Sequence, residues 1–262
     1  MKLERPPDRL APIIPFDDFI TYVIDWRQNQ HLGIIGPTEQ GKTNMLYWLL
    51  AHFRTYVAYM AIKPRDATLD GFAAAGGYER IYDWPPQKRG FSGTKIVTAA
   101  EMPRRLVWPD ARQLDAEEEQ RRVFHKVVAD VYSEGGWCSV WDDYWYLSQI
   151  LGLEKQSKKM LMNARSNDIP MAICAQRPGG NRLVELFDQT THLLFFRDND
   201  EVNLRRISGV GASAAEPIKG FIAYLDRFQA LYINTRTGVM YRTTAPELKL
   251  PAPRKERSWR TR

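Results

Sequence analysis

The sequence lacks features that mark several classes of protein. Two cysteines, Cys138 and Cys174, are too few for a disulfide framework, and both lie in apolar runs that predict buried, reduced thiols. No stretch approaches the roughly 18 uncharged apolar residues of a membrane-spanning helix, so no membrane insertion is expected. The first ten residues contain no apolar segment of the secretory-signal kind. These absences predict a cytoplasmic protein.

Net positive charge is small outside one end of the chain. The formal net charge of the 262 residues is +6, but residues 254–262 alone hold five basic residues and one glutamate. The rest is nearly neutral, so charge by itself does not identify a nucleic-acid-binding protein. We predict an extended, proline-rich N-terminal arm over residues 1–15, one domain over residues 16–250 and a basic C-terminal tail over residues 251–262, which could simply be a solvated terminus.

Short apolar runs alternate with helical patterns along this domain, whose composition is rich enough in hydrophobic residues to fill a core. Strands are predicted at 31–35, 56–62, 95–98, 137–141, 171–175, 192–196, 220–225 and 230–234. Helices are predicted at 16–27, 43–53, 115–133, 153–167, 183–187 and 202–207, with a loop-rich stretch over 64–95. This alternation predicts an α/β fold with a mostly parallel sheet flanked by helices.

Residues 36–43 match the phosphate-binding loop G-x-x-x-x-G-K-[ST] between a predicted strand and a predicted helix. The two glycines let backbone N–H groups face phosphates, and the helix N-terminus adds its positive end. Lys42 is expected to reach the β- and γ-phosphates, and the Thr43 hydroxyl to bind Mg²⁺. The predicted cofactors are therefore ATP and Mg²⁺, and the predicted ATP-binding residues are Gly36, Pro37, Thr38, Glu39, Gln40, Gly41, Lys42, Thr43 and Asn44.

Two adjacent carboxylates follow the apolar run at 137–141. A P-loop enzyme needs a carboxylate at the end of a neighbouring buried strand for its metal, and Asp142 fits this Walker B position. Asp143 is then the candidate to polarise the attacking water, where many such ATPases use glutamate. Its side chain is one methylene shorter, so the water must lie closer or be reached through another residue. The alternative is a pair of carboxylates that caps the next helix.

The strand at 171–175 ends in Gln176-Arg177-Pro178, and this arrangement resembles the FtsK/HerA superfamily of P-loop ATPases, which includes viral genome-packaging ATPases. The resemblance implies a RecA-like fold of the additional-strand class. It also implies that Gln176 senses the γ-phosphate, and that an arginine ahead of this strand acts in trans on the ATP of a neighbouring subunit. Arg165 is the first choice for this arginine finger and Arg197 the second.

The same resemblance implies a Mg²⁺-dependent motor that moves double-stranded DNA through a homo-oligomeric ring, a hexamer or a pentamer. Viral genome packaging is then the expected role, with a portal or capsid-vertex protein as a partner and the host cytoplasm or the virion as the location. Candidate DNA contacts are Lys155, Lys158 and Lys159, with 104–105 and the tail as competitors; the alternative for the lysines is a solvated helix face.

Other functions remain compatible with the sequence. A nucleotide-switched assembly or morphogenesis protein, or a plasmid-transfer accessory ATPase, would bind ATP without pumping DNA. A small-molecule phosphotransferase would need a lid with several phosphate-facing arginines, for which no clear candidate exists. A GTPase is disfavoured because the sequence contains no N-K-x-D base-reading motif.

Overall fold

The computed structural model describes residues 4–90, 93–110, 116–176, 188–205, 207 and 214–248. Nine strands form one sheet in the order β11-β10-β9-β1-β8-β7-β2-β6-β3, and β4 pairs with β5 in a separate hairpin. All neighbours in the large sheet are parallel, except that β10 runs antiparallel to both β9 and β11. The strands are β1 (Leu32–Ile35), β2 (Val57–Met60), β3 (Glu79–Ile81), β4 (Gln87–Gly90), β5 (Gly93–Ile96), β6 (Arg104–Val107), β7 (Cys138–Trp141), β8 (Met171–Ala175), β9 (His192–Phe196), β10 (Gln229–Asn234) and β11 (Met240–Thr244).

Helices cover both faces of this sheet. They are α1 (Phe16–Asp18), which continues as a π-helical turn over Phe19–Val23, then α2 (Lys42–Phe53), α3 (Ala67–Gly76), α4 (Glu117–Glu134), α5 (Glu154–Asn163), α6 (Glu201–Arg205) and α7 (Ala215–Tyr224). No helix in the described ranges is both long and apolar enough to cross a bilayer. The α/β fold with a mostly parallel sheet is therefore confirmed.

The central strands are buried along their whole length, which is why they read as unbroken apolar runs. Every residue of β1, β7 and β8 is buried. Alternate residues of β1 enter two separate apolar layers: Leu32 and Ile34 pack with α2 and α3, whereas Ile35 packs with α4 and α7. Both cysteines are buried and free within these layers.

The topology brings distant segments to one edge of the sheet. β1 lies between β8 and β9, and β7 lies on the far side of β8. Because these four strands are parallel, the loop after β1, the carboxylates after β7 and Gln176 after β8 all meet at the carboxyl edge, where open α/β sheets bind ligands.

Two predicted elements are wrong. Residues 220–224 belong to helix α7, which ends just before Leu225, rather than to a strand, and Ile218, Phe221 and Ile222 bury one face at helical spacing. A six-residue apolar run cannot by itself distinguish the two structures. The stretch 64–95 is not loop-rich, since it contains α3, β3, β4 and the start of β5. Small residues dominate α3 and weaken its amphipathic pattern, although Asp66 caps it by accepting a hydrogen bond from the Leu69 N–H at 3.0 Å.

Other boundaries differ in smaller ways. The predicted strands at 171–175 and 192–196 are confirmed to the residue, whereas the strands β6 and β11 were not predicted. The first helical segment ends at Val23, four residues before its predicted end. The predicted helix at 183–187 lies outside the described residues.

The N-terminal arm packs against the last strand of the sheet. Arg242 of β11 donates from Nε to the Ala11 carbonyl at 2.8 Å and from Nη2 to Asp8 Oδ1 at 2.7 Å. Helix α7 also lies under the arm, because a Cβ on Gly220 would come within 2.7 Å of the Glu4 carbonyl oxygen. These contacts hold the described part of the arm, residues 4–15, on the domain.

Candidate nucleotide-binding site

The loop after β1 adopts a conformation that requires glycine at its end. Gly41, the residue before α2, has a φ of 97°, which side-chain-bearing residues rarely adopt. At the other end, a Cβ on Gly36 would lie 2.7 Å from Cβ of Phe196, and the Gly36 N–H donates to the Ala175 carbonyl at 3.1 Å. The loop therefore curls tightly between β8 and β9 and leads directly into the N-terminus of α2, as an anion-binding cradle requires.

Lys42 reaches back over this loop. Its Nζ donates to the Pro37 carbonyl at 2.7 Å, and the side chain is half-buried. Burial lowers the pKa of Lys42, whereas the charges of Asp142 and Asp143 oppose this shift. The ammonium group thus lies against the loop and lines the same cleft as Asp142 and Asp143, where it can bind a phosphate.

Gln176 and Asp143 are in direct contact. Trp141 at the end of β7 pairs with Ile173 of β8, so the residues that follow these strands lie side by side. Gln176 donates from Nε2 to Asp143 Oδ2 at 3.2 Å. Asp143 Oδ1 accepts the Tyr146 N–H at 3.1 Å, which caps the helical turn that follows. Asp143 therefore lies in the nucleotide cleft and also makes the capping contact, so the two alternatives from the sequence are not exclusive.

Asp142 lies deeper in the site. Burial raises its pKa, and a hydrogen bond from the Tyr59 hydroxyl, followed by the charge of the Lys63 ammonium, opposes the shift. The hydroxyl groups of Tyr47 and Tyr59 are buried near this carboxylate; burial, and then the Asp142 charge, raises the pKa of both.

The oxygen atoms available in this cleft suit Mg²⁺ better than a metal ion whose ligands all come from the protein. No cluster of three or more His, Cys, Asp or Glu side chains in the described ranges could hold a metal ion. Mg²⁺ keeps several waters and takes one or two carboxylates together with substrate phosphates. Thr43, in the first turn of α2, and Asp142 line the same cleft and could supply the protein part of such a site.

These residues line one cleft of about 480 Å³. Its walls also include residues that were not predicted from the sequence, namely Ala61, Ile62, Lys63, Asp66, Leu69, Arg227 and Phe228. Lys63 donates to Asp66 Oδ2 at 3.1 Å across this wall; burial acts to lower the pKa of Lys63, but the contact with Asp66 raises it overall. No sequence signal pointed to Arg227 and Phe228, because they reach the cleft only through the pairing of β10 with β9.

Asn44 is also engaged with a distant part of the chain. Its Nδ2 donates to the Pro246 carbonyl at 2.9 Å, and its Oδ1 accepts the Leu248 N–H at 3.1 Å. The Trp48 indole donates to the same Pro246 carbonyl at 2.8 Å. A contact between Asn44 and ATP stays a prediction, and in this conformation its backbone N–H is the group that could make it.

The two candidate arginine fingers lie in different places. Arg165 is in the 3₁₀ turn Ala164–Asn167, which connects α5 to β8. Arg197 follows β9 and lines a smaller cleft of about 280 Å³ beside the chain's own loop, together with Pro37 and Gln40. Arg177 and Pro178 lie outside the described residues.

The candidate DNA-binding residues are not equally free. On α5, Lys155 and Lys159 are exposed, but Lys158 pairs with Glu154 at 3.3 Å and the Lys159 ammonium lies 5.0 Å from the centre of the Tyr132 ring. The competing assignment at 104–105 is wrong for Arg105, which is 3% exposed. Its guanidinium packs between two tryptophan rings and donates to two backbone carbonyls, so it is part of the core.

Comparison with known proteins gives similarity of structure only. No protein-family model matches the sequence, and no curated protein matches it. The fold is similar to the cytoplasmic domain of the Thermomonospora curvata Type VII secretion ATPase EccC, with a TM-score of 0.53, 16% identity and coverage of 95% of this chain and 30% of that one. It is similar to the plasmid coupling protein TrwB in complex with ADP and Mg²⁺, with a TM-score of 0.53, 10% identity and coverage of 87% of both chains.

A third similar structure is the genome packaging NTPase B204 of Sulfolobus turreted icosahedral virus 2 in complex with AMP. Its TM-score is 0.50 at 14% identity, with coverage of 82% of this chain and 97% of that one. At such identities the similarity establishes the fold. The chain therefore has the α/β P-loop fold that these ATPases share, which is the fold expected from the resemblance to the FtsK/HerA superfamily.

Proposed function

We propose that the protein is a Mg²⁺-dependent ATPase that moves double-stranded DNA. The observation that carries the ATPase part is the convergence of Lys42, Asp143 and Gln176, from three different loops, on one cleft. Such a set combines a cation for phosphate, a base for water and a polar group that touches the base. These are the parts that phosphoryl transfer to water requires.

Each residue has a defined role in this proposal. Lys42 and the loop N–H groups hold the β- and γ-phosphates, and Thr43 and Asp142 hold the magnesium ion, which supplies charge neutralisation when bound. Asp143 accepts hydrogen bonds at both of its oxygens and can orient a water at the γ-phosphate end of the cleft. Gln176 touches Asp143, so its amide can respond to the presence of the γ-phosphate and change the position of the base.

The second part of the proposal is that ATP hydrolysis moves DNA. It is supported by the resemblance at 171–178 and by two similar structures, a genome packaging NTPase and a plasmid coupling protein. The proposed assembly is a homo-oligomeric ring, in which Arg165 reaches the ATP of the neighbouring subunit. Viral genome packaging with a portal or capsid-vertex partner is the preferred role, and plasmid transfer is the nearest variant.

One observation favours a second candidate, a nucleotide-switched assembly protein. Both carboxylate oxygens of Asp143 already accept hydrogen bonds, from the Tyr146 N–H and from Gln176. A carboxylate whose two oxygens are both engaged must share an oxygen or release one of these hydrogen bonds before it can orient a water. ATP would then be bound as a switch and hydrolysed slowly.

ATP turnover with and without duplex DNA separates the two candidates. The motor should hydrolyse ATP faster when DNA is present, and Lys42→Ala should lower turnover by about 10²–10³-fold, because one phosphate-stabilising group is lost. Turnover that DNA leaves unchanged, with assembly that depends on ATP, would support the switch instead. Absence of ATP binding in the wild-type protein would contradict both.

Two matched triple variants test the DNA contacts. One changes Lys155, Lys158 and Lys159 on α5 to alanine. The other removes the same charge from the exposed hairpin by changing Lys88, Arg89 and Lys95 to alanine. If α5 touches DNA phosphates, only the first variant should lose DNA stimulation and show a smaller dependence of DNA affinity on salt. If only the hairpin variant loses DNA stimulation, the DNA contact lies on β4 and β5 rather than on α5.

Mixing inactive subunits tests the trans role of Arg165. Neither Arg165→Ala nor Lys42→Ala protein should be active alone, whereas mixed assemblies should recover part of the activity at interfaces where an intact arginine faces an intact P-loop. Full DNA-stimulated turnover by Arg165→Ala alone would rule the finger out.

A further inference from the structure

The turn before β10 holds an aromatic side chain in an unfavourable backbone conformation. The Gln229 N–H donates to the Asp226 carbonyl at 3.1 Å and closes the turn, and Phe228 within it has a φ of 65°. A bulky residue in this left-handed region is energetically unfavourable, and such residues cluster at functional sites. The Phe228 side chain is nevertheless 43% exposed. Burial in the core does not explain its place.

Phe228 lies against the phosphate-binding loop. A Cβ on Gly41 would meet the Phe228 ring at Cδ1 at 3.2 Å. Because β10 is antiparallel to β9 and pairs Ala230 with Phe196, the turn lies at the carboxyl edge of the sheet. It is on the β9 side of the loop, whereas Asp143 follows β7, on the other side of β1.

These positions give the cleft two different ends. The end at β7 and β8 carries the carboxylates and Gln176, which suits the γ-phosphate. A nucleotide with its phosphates on residues 36–43 must then direct its base to the other end. Phe228 is the one aromatic residue among the described cleft walls, and the Arg227 guanidinium lies 4.7 Å from the centre of its ring. Nucleic-acid bases stack on both aromatic rings and guanidinium planes.

We propose that Arg227 and Phe228 form the subsite for the base of the nucleotide, and that this subsite selects purine nucleoside triphosphates through stacking. The inference rests on the proposed function, because it places the base relative to the phosphate loop. A purine has the larger stacking face and gains more than a pyrimidine. The left-handed backbone at Phe228 is what directs its ring toward Gly41 and the cleft.

Asparagine at position 228 offers a test that does not depend on misfolding. Asparagine tolerates a positive φ better than phenylalanine, so Phe228→Asn removes the ring without adding backbone strain. The experiment titrates the full chain with Mg²⁺-ATP and with inorganic tripolyphosphate, which has no base, by calorimetry. Phe228→Tyr, which keeps the ring, is the matched control.

ATP affinity should fall about tenfold in Phe228→Asn, the cost of one lost stacked base, whereas tripolyphosphate affinity should not change. Phe228→Tyr should bind both ligands like the wild type, and the preference of the wild type for ATP over CTP should disappear in Phe228→Asn. Unchanged ATP affinity in Phe228→Asn, or an equal fall for both ligands, would overturn the base subsite. Lys42→Ala tests the phosphate site separately: if it binds both ligands like the wild type, the proposed function itself fails.

Discussion

Asparagine at position 143 should abolish most of the catalysis while leaving the fold intact. Asp143 Oδ1 accepts the Tyr146 N–H and so caps the helical turn that directly follows Asp143, and asparagine is as good a capping residue as aspartate. The amide cannot accept a proton from water, so turnover should fall by about 10²–10⁴-fold, the usual contribution of a general base. Gln176 can still form a hydrogen bond with the substituted side chain in Asp143→Asn, because its own amide can rotate by half a turn to present either its oxygen or its nitrogen.

Alanine at the same position provides the comparison for stability. Asp143→Ala removes the capping acceptor as well as the base, which should cost about 1 kcal/mol of unfolding free energy. For a domain of this size the corresponding fall in Tm is roughly 2–4 °C. Asp143→Asn should therefore match the wild type in Tm and match Asp143→Ala in turnover.

The assay measures ATP turnover and thermal unfolding on the same preparations of the three proteins. Wild-type turnover in Asp143→Asn would show that another group activates the water. A Tm of Asp143→Asn as low as that of Asp143→Ala would show that the hydrogen bond to the Tyr146 N–H is not what stabilises this turn. Asp143→Glu tests how strictly the position of the carboxylate matters. The longer side chain keeps the base at the same backbone position and should retain part of the activity.

Three further perturbations test other parts of the site. Asn44→Ala should lower the free energy of unfolding by about 1–3 kcal/mol in a denaturant titration, because hydrogen bonds to Pro246 and Leu248 are lost, and a change below about 0.5 kcal/mol would contradict their importance. Asp142→Asn should abolish turnover but raise Tm at pH 7. Burial raises the pKa of Asp142 above its ordinary value of 3.8, so the wild-type protein loses stability as the pH rises above that value. The higher Tm of Asp142→Asn relative to the wild type should therefore disappear at lower pH. A Tm of Asp142→Asn below that of the wild type at pH 7 would refute this reasoning. Deletion of residues 254–262 should weaken DNA binding and reduce its salt dependence while basal ATPase activity stays unchanged, and an unaltered salt dependence would exclude this part of the tail.

The parts of the site that the sequence predicted are those built from local patterns. The loop at 36–43 needs glycine and lysine at fixed spacing, and the buried strands β1, β7 and β8 show as apolar runs that end where polar residues begin. The parallel direction of these strands then follows from their alternation with helices. The contact of Gln176 with Asp143 depends on the pairing of β7 with β8. The sequence predicted that both residues follow buried strands of the sheet, but not that the two side chains touch.

What could not be predicted depends on contacts between distant segments. Phe228 enters the cleft because β10 returns antiparallel to β9, and nothing within the turn itself indicates that pairing. Arg105 appears as a surface charge in the sequence, yet it is buried because Trp84 and Trp137 enclose its guanidinium. In both cases the partners come from other elements of the chain, beyond the range of periodicity and capping rules.

The hydrogen bonds of Asn44 also set a tether length. Leu248 is held at the first turn of α2, and Arg254, the first of the five basic residues at the end of the chain, follows it by six positions. Even a fully extended chain spans at most about 3.6 Å per residue, so Arg254 lies within about 22 Å of Leu248. Because the arginine side chain adds several ångströms to this reach, a polyanion bound by Arg254 is kept within about three nanometres of the helix that begins the nucleotide site.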